Sequence, residues 1–384
     1  MRFEFATSGR ILFGRGCVAE VPAAASTMGR RALLVTGRSG RGAEALSDVL
    51  RAVSVETVRW GVEGEPTIDQ VTRATAHAHA HHCDFVISIG GGSVIDAGKA
   101  VAALMANAGD PLLYLEVIGE GKPLLNASAP FIAIPTTAGT GSEVSRNAVL
   151  SSPQHRVKAS LRSAHMLPRL AVVDPDLTVD LPPALTASTG LDALTQLMEP
   201  YISVRSNTLT DLFCLEGIRL VARSLVAAAR DGKDMEARTD MAMASLLGGL
   251  ALANAGLGAV HGFAAPIGGM FDAPHGAVCA ALLPYVMEAN VRALRSRPCE
   301  FNGLLRFETM AQILNADKYA RPEQGIAWVA RACRQLEIPS LRTYGITDQD
   351  ISTIVDKAAQ SNSMKGNPLP LSREELTDIV SHAL

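Results

Sequence analysis

The apolar residues of this chain fall into two regimes. Up to about residue 174 they come in short continuous runs: Ala32-Leu-Leu-Val-Thr36, Ser54–Trp60, Phe85-Val-Ile-Ser-Ile89, Phe131-Ile-Ala-Ile-Pro135 and Leu170-Ala-Val-Val-Asp174. Runs of this length, bounded by glycine and polar turns, predict strands buried on both faces. Helical patterns lie between them, one ending near Ala52 and one over Thr67–His82. Such alternation predicts an α/β layer around a parallel sheet. Phe3-Glu-Phe-Ala6 and Ile11-Leu-Phe-Gly14, flanking Ser8-Gly-Arg10, read as an opening β-hairpin. Gly14–Gly29 reads as a loop with a short helix.

Beyond Leu181-Pro-Pro183 helical periodicity takes over, in segments 187–202, 207–230, 235–258, 280–296, 303–316, 322–336, 347–360 and 372–383. The second half is therefore expected to be all-α. A chain of 384 residues exceeds one ordinary core. The expected domains are 1–182 and 183–384, packed around a shared cleft because no low-complexity linker separates them. Ala242–Val260 is apolar over the length of a membrane span, but it contains Gly248, Gly249, Asn254, Gly256 and Gly258. It predicts a buried core helix instead.

Composition narrows the function classes. Hydrophobic residues make up 48% and charged ones 19%, which suits a packed core and argues against disorder. A net charge of -3 leaves no basic footprint for nucleic acid. The opening residues lack the apolar core of a secretory signal, and no membrane association is expected. Cys17, Cys83, Cys214, Cys279, Cys299 and Cys333 are scattered with no C-x-x-C pair. Reduced thiols in a cytoplasm are the simplest reading.

Two stretches carry candidate chemistry. Ile89 passes into Gly90-Gly-Gly-Ser-Val-Ile-Asp-Ala-Gly-Lys99. Glycines between a strand and a helix let backbone N–H groups approach an anion, and the helix terminus adds partial positive charge. A pyrophosphate suits this loop, although the spacing is not G-x-G-x-x-G. The hydroxyl-rich Thr136–Ser145 loop reads equally well as a cofactor contact or an ordinary polar loop. The second stretch is His261–Gly276, HGFAAPIGGMFDAPHG, with histidines at both ends of an apolar run. Upstream, Asp192 and Gln196 share a helix face at i, i+4. Two imidazoles, a carboxylate and an amide oxygen make a divalent metal site from Asp192, Gln196, His261 and His275. His77, His79, His81 and His82 also cluster, but lack a carboxylate and read as a solvated helix end.

Five ordered motifs, GGGSVIDAGK, PTTAGTGSEVS, VVDPDLTVDLPP, TGLDALTQLMEPY and HGFAAPIGGMFDAPHG, resemble the iron-containing (group III) alcohol dehydrogenases over nearly the whole chain. The ending around Asn367-Pro-Leu-Pro370 is similar too. The resemblance implies the dehydroquinate synthase-like fold: an α/β dinucleotide-binding domain with a parallel sheet, then an all-α metal-binding domain. It implies an NAD or NADP cofactor on Gly91, Gly92, Ser93 and Asp96, with Thr136, Thr137, Thr140, Ser142 and Val144 along its path and Lys158 at a ribose. It places Fe2+, or Zn2+ as in the glycerol dehydrogenase branch, on Asp192, His261 and His275, which would be the catalytic set. It further implies a small alcohol or aldehyde substrate, hydride transfer at a carbinol carbon and a homodimer.

The chain departs from that pattern at two positions. Gln196 stands where many members have a fourth, histidine, ligand, and an amide oxygen binds Fe(II) more weakly. Ala265 stands where some carry a further histidine, so a proton must travel by water, ribose or another side chain. Asp192 argues against the metal-free maleylacetate reductase branch. A dehydroquinate synthase-like lyase would need several basic residues, and 261–276 has no Lys or Arg. A non-catalytic nucleotide-binding protein is the remaining alternative. Gly37-Arg38-Ser39 offers no acid for a ribose 2′-hydroxyl and leaves room for a 2′-phosphate, which points to NADP.

Overall fold

The computed structural model describes residues 2–297 and 302–384; Cys299 lies outside the described residues. In the first half the elements are β1 (Ile11–Phe13), α1 (Val21–Ala25), β2 (Arg31–Gly37), α2 (Ala43–Ala52), β3 (Glu56–Val62), α3 (Ile68–Ala80), β4 (Phe85–Gly90), α4 (Gly92–Ala106), β5 (Phe131–Pro135), β6 (Asn147–Ser152), β7 (Val157–Arg162) and β8 (Leu170–Val173). The second half contains α5 (Pro183–Ile202), α6 (Thr208–Arg230), α7 (Met235–Ala255), α8 (Ala259–Met270), α9 (His275–Ser296), α10 (Gly303–Asn315), α11 (Pro322–Gln335), α12 (Ile351–Ala359) and α13 (Arg373–Ala383). The chain packs as two units. One comprises Ala6–Thr137 and Gly141–Val179; the other holds the N-terminal stretch to Phe5, Ala138–Thr140 and Asp180–Leu384.

The first unit is built on a parallel sheet ordered β1-β8-β5-β4-β2-β3. Its central strands are buried along their whole length, which is why they read as continuous apolar runs. Leu33, Val35 and Val86 pack against α3 and α4 on one face, while Leu34, Ile87 and Ile132 pack against α1 and α2 on the other. The chain turns outward from β2 to β3, then crosses back to β4 on the other side of β2. The strand order therefore reverses between β2 and β4, and the loops leaving their C-terminal ends diverge there. In open α/β sheets that is where ligands bind.

The expected opening hairpin does not form. Residues 3–6 are not a strand, and Ile11–Phe13 pairs in parallel with Ala171–Val173. Phe5 instead lies against Phe213 with ring centroids 5.8 Å apart. An antiparallel hairpin, β6–β7, stands where no strand is expected. Its Ala148, Leu150, Ala159 and Leu161 join the core beside α4.

The second unit is helical throughout. The stretch Ala242–Val260 is not one helix: α7 stops at Ala255, and α8 departs at 97°. Gly256 makes the corner at φ 73°, a conformation that costs any residue with a Cβ. The helix expected from 280 starts five residues earlier, at His275. By length and composition α9 would pass for a membrane span, but 83% of its apolar window is packed inside the protein. The thiols of Cys17, Cys83, Cys214, Cys279 and Cys333 are all free.

Candidate metal and cofactor sites

Three helix segments bring the helical unit's chemistry together. Asp192, Gln196 and Glu199 follow at i, i+4 and i+7 along α5, so they share one face. His261 lies in the first turn of α8, His275 opens α9, and Cys279 follows one turn later. The start of α9 lies hard against α5. A Cβ on Gly276 would come within 2.7 Å of the Ser188 carbonyl oxygen, so only glycine permits this approach.

His261 Nε2 and His275 Nε2 lie 3.5 and 3.6 Å from Asp192 Oδ1. Cys279 Sγ is 3.9 Å from His261 Nε2 and 3.7 Å from His275 Nε2. The donor atoms of these four side chains all lie within 4.8 Å of one another, the one such group among the described residues. Asp192 is 1% exposed, and its Oδ1 accepts no hydrogen bond. An unpartnered buried carboxylate oxygen is costly. A divalent transition ion fits this donor set and supplies the missing partner. His275, with its side chain 31% exposed, is the one member that reaches solvent.

Sequence reasoning missed Cys279 and also Glu199. Glu199 Oε1 accepts the Val260 N–H at 2.6 Å, one of the unpaired donors at the start of α8. Its Oε2 accepts from His261 Nδ1 at 2.7 Å. A carboxylate accepts here, so Nδ1 carries a proton and Nε2 is the ring atom turned toward Asp192. The i+7 spacing from Asp192 was the available signal. Burial pushes the Asp192 carboxyl up, but the facing His275 and His261 outweigh it and hold the pKa below the usual range. Burial disfavours imidazolium at His261, yet Cys279, Glu199 and Asp192 raise its pKa well above the ordinary value. His275 is raised in the same way, burial again being outweighed by Cys279 and Asp192.

Gln196 is near but differently engaged. Its Nε2 donates to Asp192 Oδ2 at 2.9 Å and to the Gly139 carbonyl at 3.1 Å. Ala265 lies one turn past His261 on α8, as expected from the sequence.

In the sheet unit, the predicted cofactor residues divide. Gly37 ends β2, Gly91 and Gly92 start α4, and Thr136 and Thr137 follow β5, side by side along the C-terminal edge of the sheet. They are half-buried, as is Ser93, while Arg38 and Ser39 are exposed. The remainder are engaged within the fold, Ser142, Val144 and Lys158 being buried. Asp96 takes the hydroxyl of Ser142 and, at 2.9 Å, the Val149 N–H. Burial raises its pKa despite nearby Lys99. Val144 is fully buried, and Lys158 is buried in β7 with Glu65 at 3.1 Å. Thr140 packs with the helical unit. Lys99, 1% exposed, donates to the Ser142 and Asn147 carbonyls at 2.7 and 2.8 Å and pins this loop; burial lowers its pKa to about 8. Burial pushes neighbouring Glu143 up to about 7.

Comparison with known proteins gives the family. Residues 8–175 match the model of iron-containing alcohol dehydrogenases, and 186–384 match that family's C-terminal domain. Alcohol dehydrogenase 4 of Saccharomyces cerevisiae is 36% identical, the alignment covering 92% of this chain and 91% of that one. A crystal structure of 1,3-propanediol oxidoreductase superposes with a TM-score of 0.92 at 32% identity, covering 100% of both chains. A sulfoacetaldehyde reductase from Bifidobacterium kashiwanohense, solved with NAD+, superposes with a TM-score of 0.86 at 26% identity, covering 99% of this chain and 98% of that one. The chain belongs to the iron-containing alcohol dehydrogenase family and is an alcohol oxidoreductase.

Proposed function

We propose that this enzyme interconverts a small, uncharged alcohol and its aldehyde with NADP as the preferred cofactor, using a divalent ion held by Asp192, His261 and His275. The carrying observation is the buried, unpartnered Asp192 Oδ1 with two imidazole nitrogens aimed at it. When bound, the ion would supply Lewis acidity toward the substrate oxygen and the nicotinamide would carry the hydride. Asp192 offsets cationic charge. Glu199 fixes the ring of His261 so that Nε2 faces Asp192. The half-exposed His275 marks the side open to a substrate. The run 263–270 of α8 carries no charged residue, which favours an uncharged substrate.

The NADP preference rests on exposed Arg38 and Ser39 beyond β2, where no carboxylate stands. The free thiols support a reducing cytoplasm, and the family supports a homodimer. The test is metal analysis of protein purified without added metal, with oxidation of NADPH and NADH followed over a panel of aldehydes. Stoichiometric iron or zinc, turnover of small uncharged aldehydes and a lower KM for NADPH are expected. Equal or reversed cofactor preference would remove the NADP assignment. Absence of metal and of turnover, even after Fe(II) or Zn(II) is added, would leave a nucleotide-binding protein.

A further inference from the structure

We propose that Cys279, rather than Gln196, is the fourth side-chain ligand of the ion, giving an Asp192–His261–His275–Cys279 site that favours zinc over iron. The inference rests on the reading that this site holds a metal. It is carried first by geometry. In a tetrahedral zinc site with N/O ligands near 2.0–2.1 Å and sulfur near 2.3 Å, neighbouring donor atoms lie roughly 3.3–3.6 Å apart. Here the carboxylate–imidazole separations are 3.5 and 3.6 Å, and the sulfur–imidazole separations are 3.7 and 3.9 Å. These four separations lie within a few tenths of an ångström of the tetrahedral values, and all the donor atoms lie within 4.8 Å of one another. The independent observation is Asp192 Oδ1, buried without a partner and facing the same point.

Gln196 is excluded by its own hydrogen bonds. The atom it holds toward Asp192 is the amide nitrogen, which also donates to the Gly139 carbonyl. Turning the amide over would set its oxygen against two other acceptors, so the orientation is fixed by chemistry. The lone pair of the amide nitrogen is delocalised into the carbonyl and is not offered to a metal. Gln196 is thus a positioning residue: it occupies Asp192 Oδ2 and leaves Oδ1 for the ion. Binding converts the Cys279 thiol to a thiolate–metal bond and releases its proton to solvent. Two anionic ligands then cancel the charge of a divalent ion, and a thiolate suits zinc better than iron.

The test is zinc K-edge X-ray absorption on the zinc-loaded full-length protein, with anaerobic zinc-against-Fe(II) competition on the parent, Cys279→Ser and Gln196→Ala. One sulfur at about 2.3 Å is expected in the parent and in Gln196→Ala, and none in Cys279→Ser. The zinc-over-iron preference should fall at least tenfold in Cys279→Ser, with its far-ultraviolet circular dichroism unchanged. Stoichiometric zinc with an all-nitrogen-and-oxygen shell in the parent, or an unchanged preference in Cys279→Ser, overturns the proposal and leaves the metal reading intact. Failure of the parent to take up zinc overturns both.

Discussion

At the scale of single residues, function rests on groups that the fold holds against their solution preferences. Glu199 joins the start of α8 to the ring of His261 through one carboxylate. Glu199→Ala leaves both N–H groups without an acceptor. Metal affinity should fall 10–100-fold, the usual cost of losing a partner behind a histidine ligand, and Glu199→Gln should recover part of it. Titration against a metal-sensitive dye reads this directly; unchanged affinity would mean that His261 needs no orienting partner. Glu143 predicts a pH dependence. Its pKa rises from 4.5 to about 7 on folding. The native protein therefore keeps a proton that the unfolded chain releases, so this contribution is complete below pH 4.5 and is lost as pH rises through about 7. The loss amounts to about 3 kcal/mol. Glu143→Gln should flatten the fall in Tm across that window and raise Tm at pH 8; a parallel curve would contradict the assignment. Asp192, His261 and His275 were legible because an acid and two histidines stand out in apolar surroundings. Cys279 and Glu199 were not. A lone cysteine carries no signal, and the i+7 spacing of Glu199 from Asp192 gains a meaning only when α5, α8 and α9 come to one place.

At the scale of elements, the junction of α5 with α9 sets where His275 stands. Adding a methyl group at Gly276 would drive the start of α9 off the Ser188 carbonyl. Gly276→Ala should cost about 1–3 kcal/mol in stability and weaken metal binding more than Gly345→Ala, whose added Cβ meets nothing within 4 Å although its φ of 79° carries local strain. Thermal melts and metal titrations of the two variants separate these effects. Equal metal affinities would mean that α9 is positioned by other contacts. The parallel strands and long helices were legible because burial on both faces, or on one helical stripe, writes a period into the sequence. The apparent hairpin at residues 3–14 failed because Phe3-Glu-Phe alternates like a strand, whereas sheet membership is decided by β8, far along the chain. Helix α8 was missed because Gly262, Pro266, Gly268 and Gly269 read as loop chemistry, although its fully buried Phe263 and Ile267 pack into the helical core.

At the scale of the whole molecule, the two ligand chemistries belong to two separately packed units: the metal donors to the helical one, and the glycine loops with the sheet edge to the other. Each ligand should therefore stabilise its own unit first. An ion at a thousandfold excess over its Kd contributes about 4 kcal/mol to the state that binds it. Hydrogen exchange should slow most in α5, α8 and α9 when metal is added, and in the segments around Gly37, Gly91 and Thr136 when NADPH is added. Protection by metal alone that centres on the sheet would place the ion elsewhere. The central claim is that a metal held through Asp192 is required for turnover. Its most direct test is elemental analysis and aldehyde reduction by Asp192→Ala beside the parent protein. The account predicts a folded variant with unchanged helical circular dichroism, no retained metal and no turnover; a metal-free Asp192→Ala enzyme with full activity would contradict it.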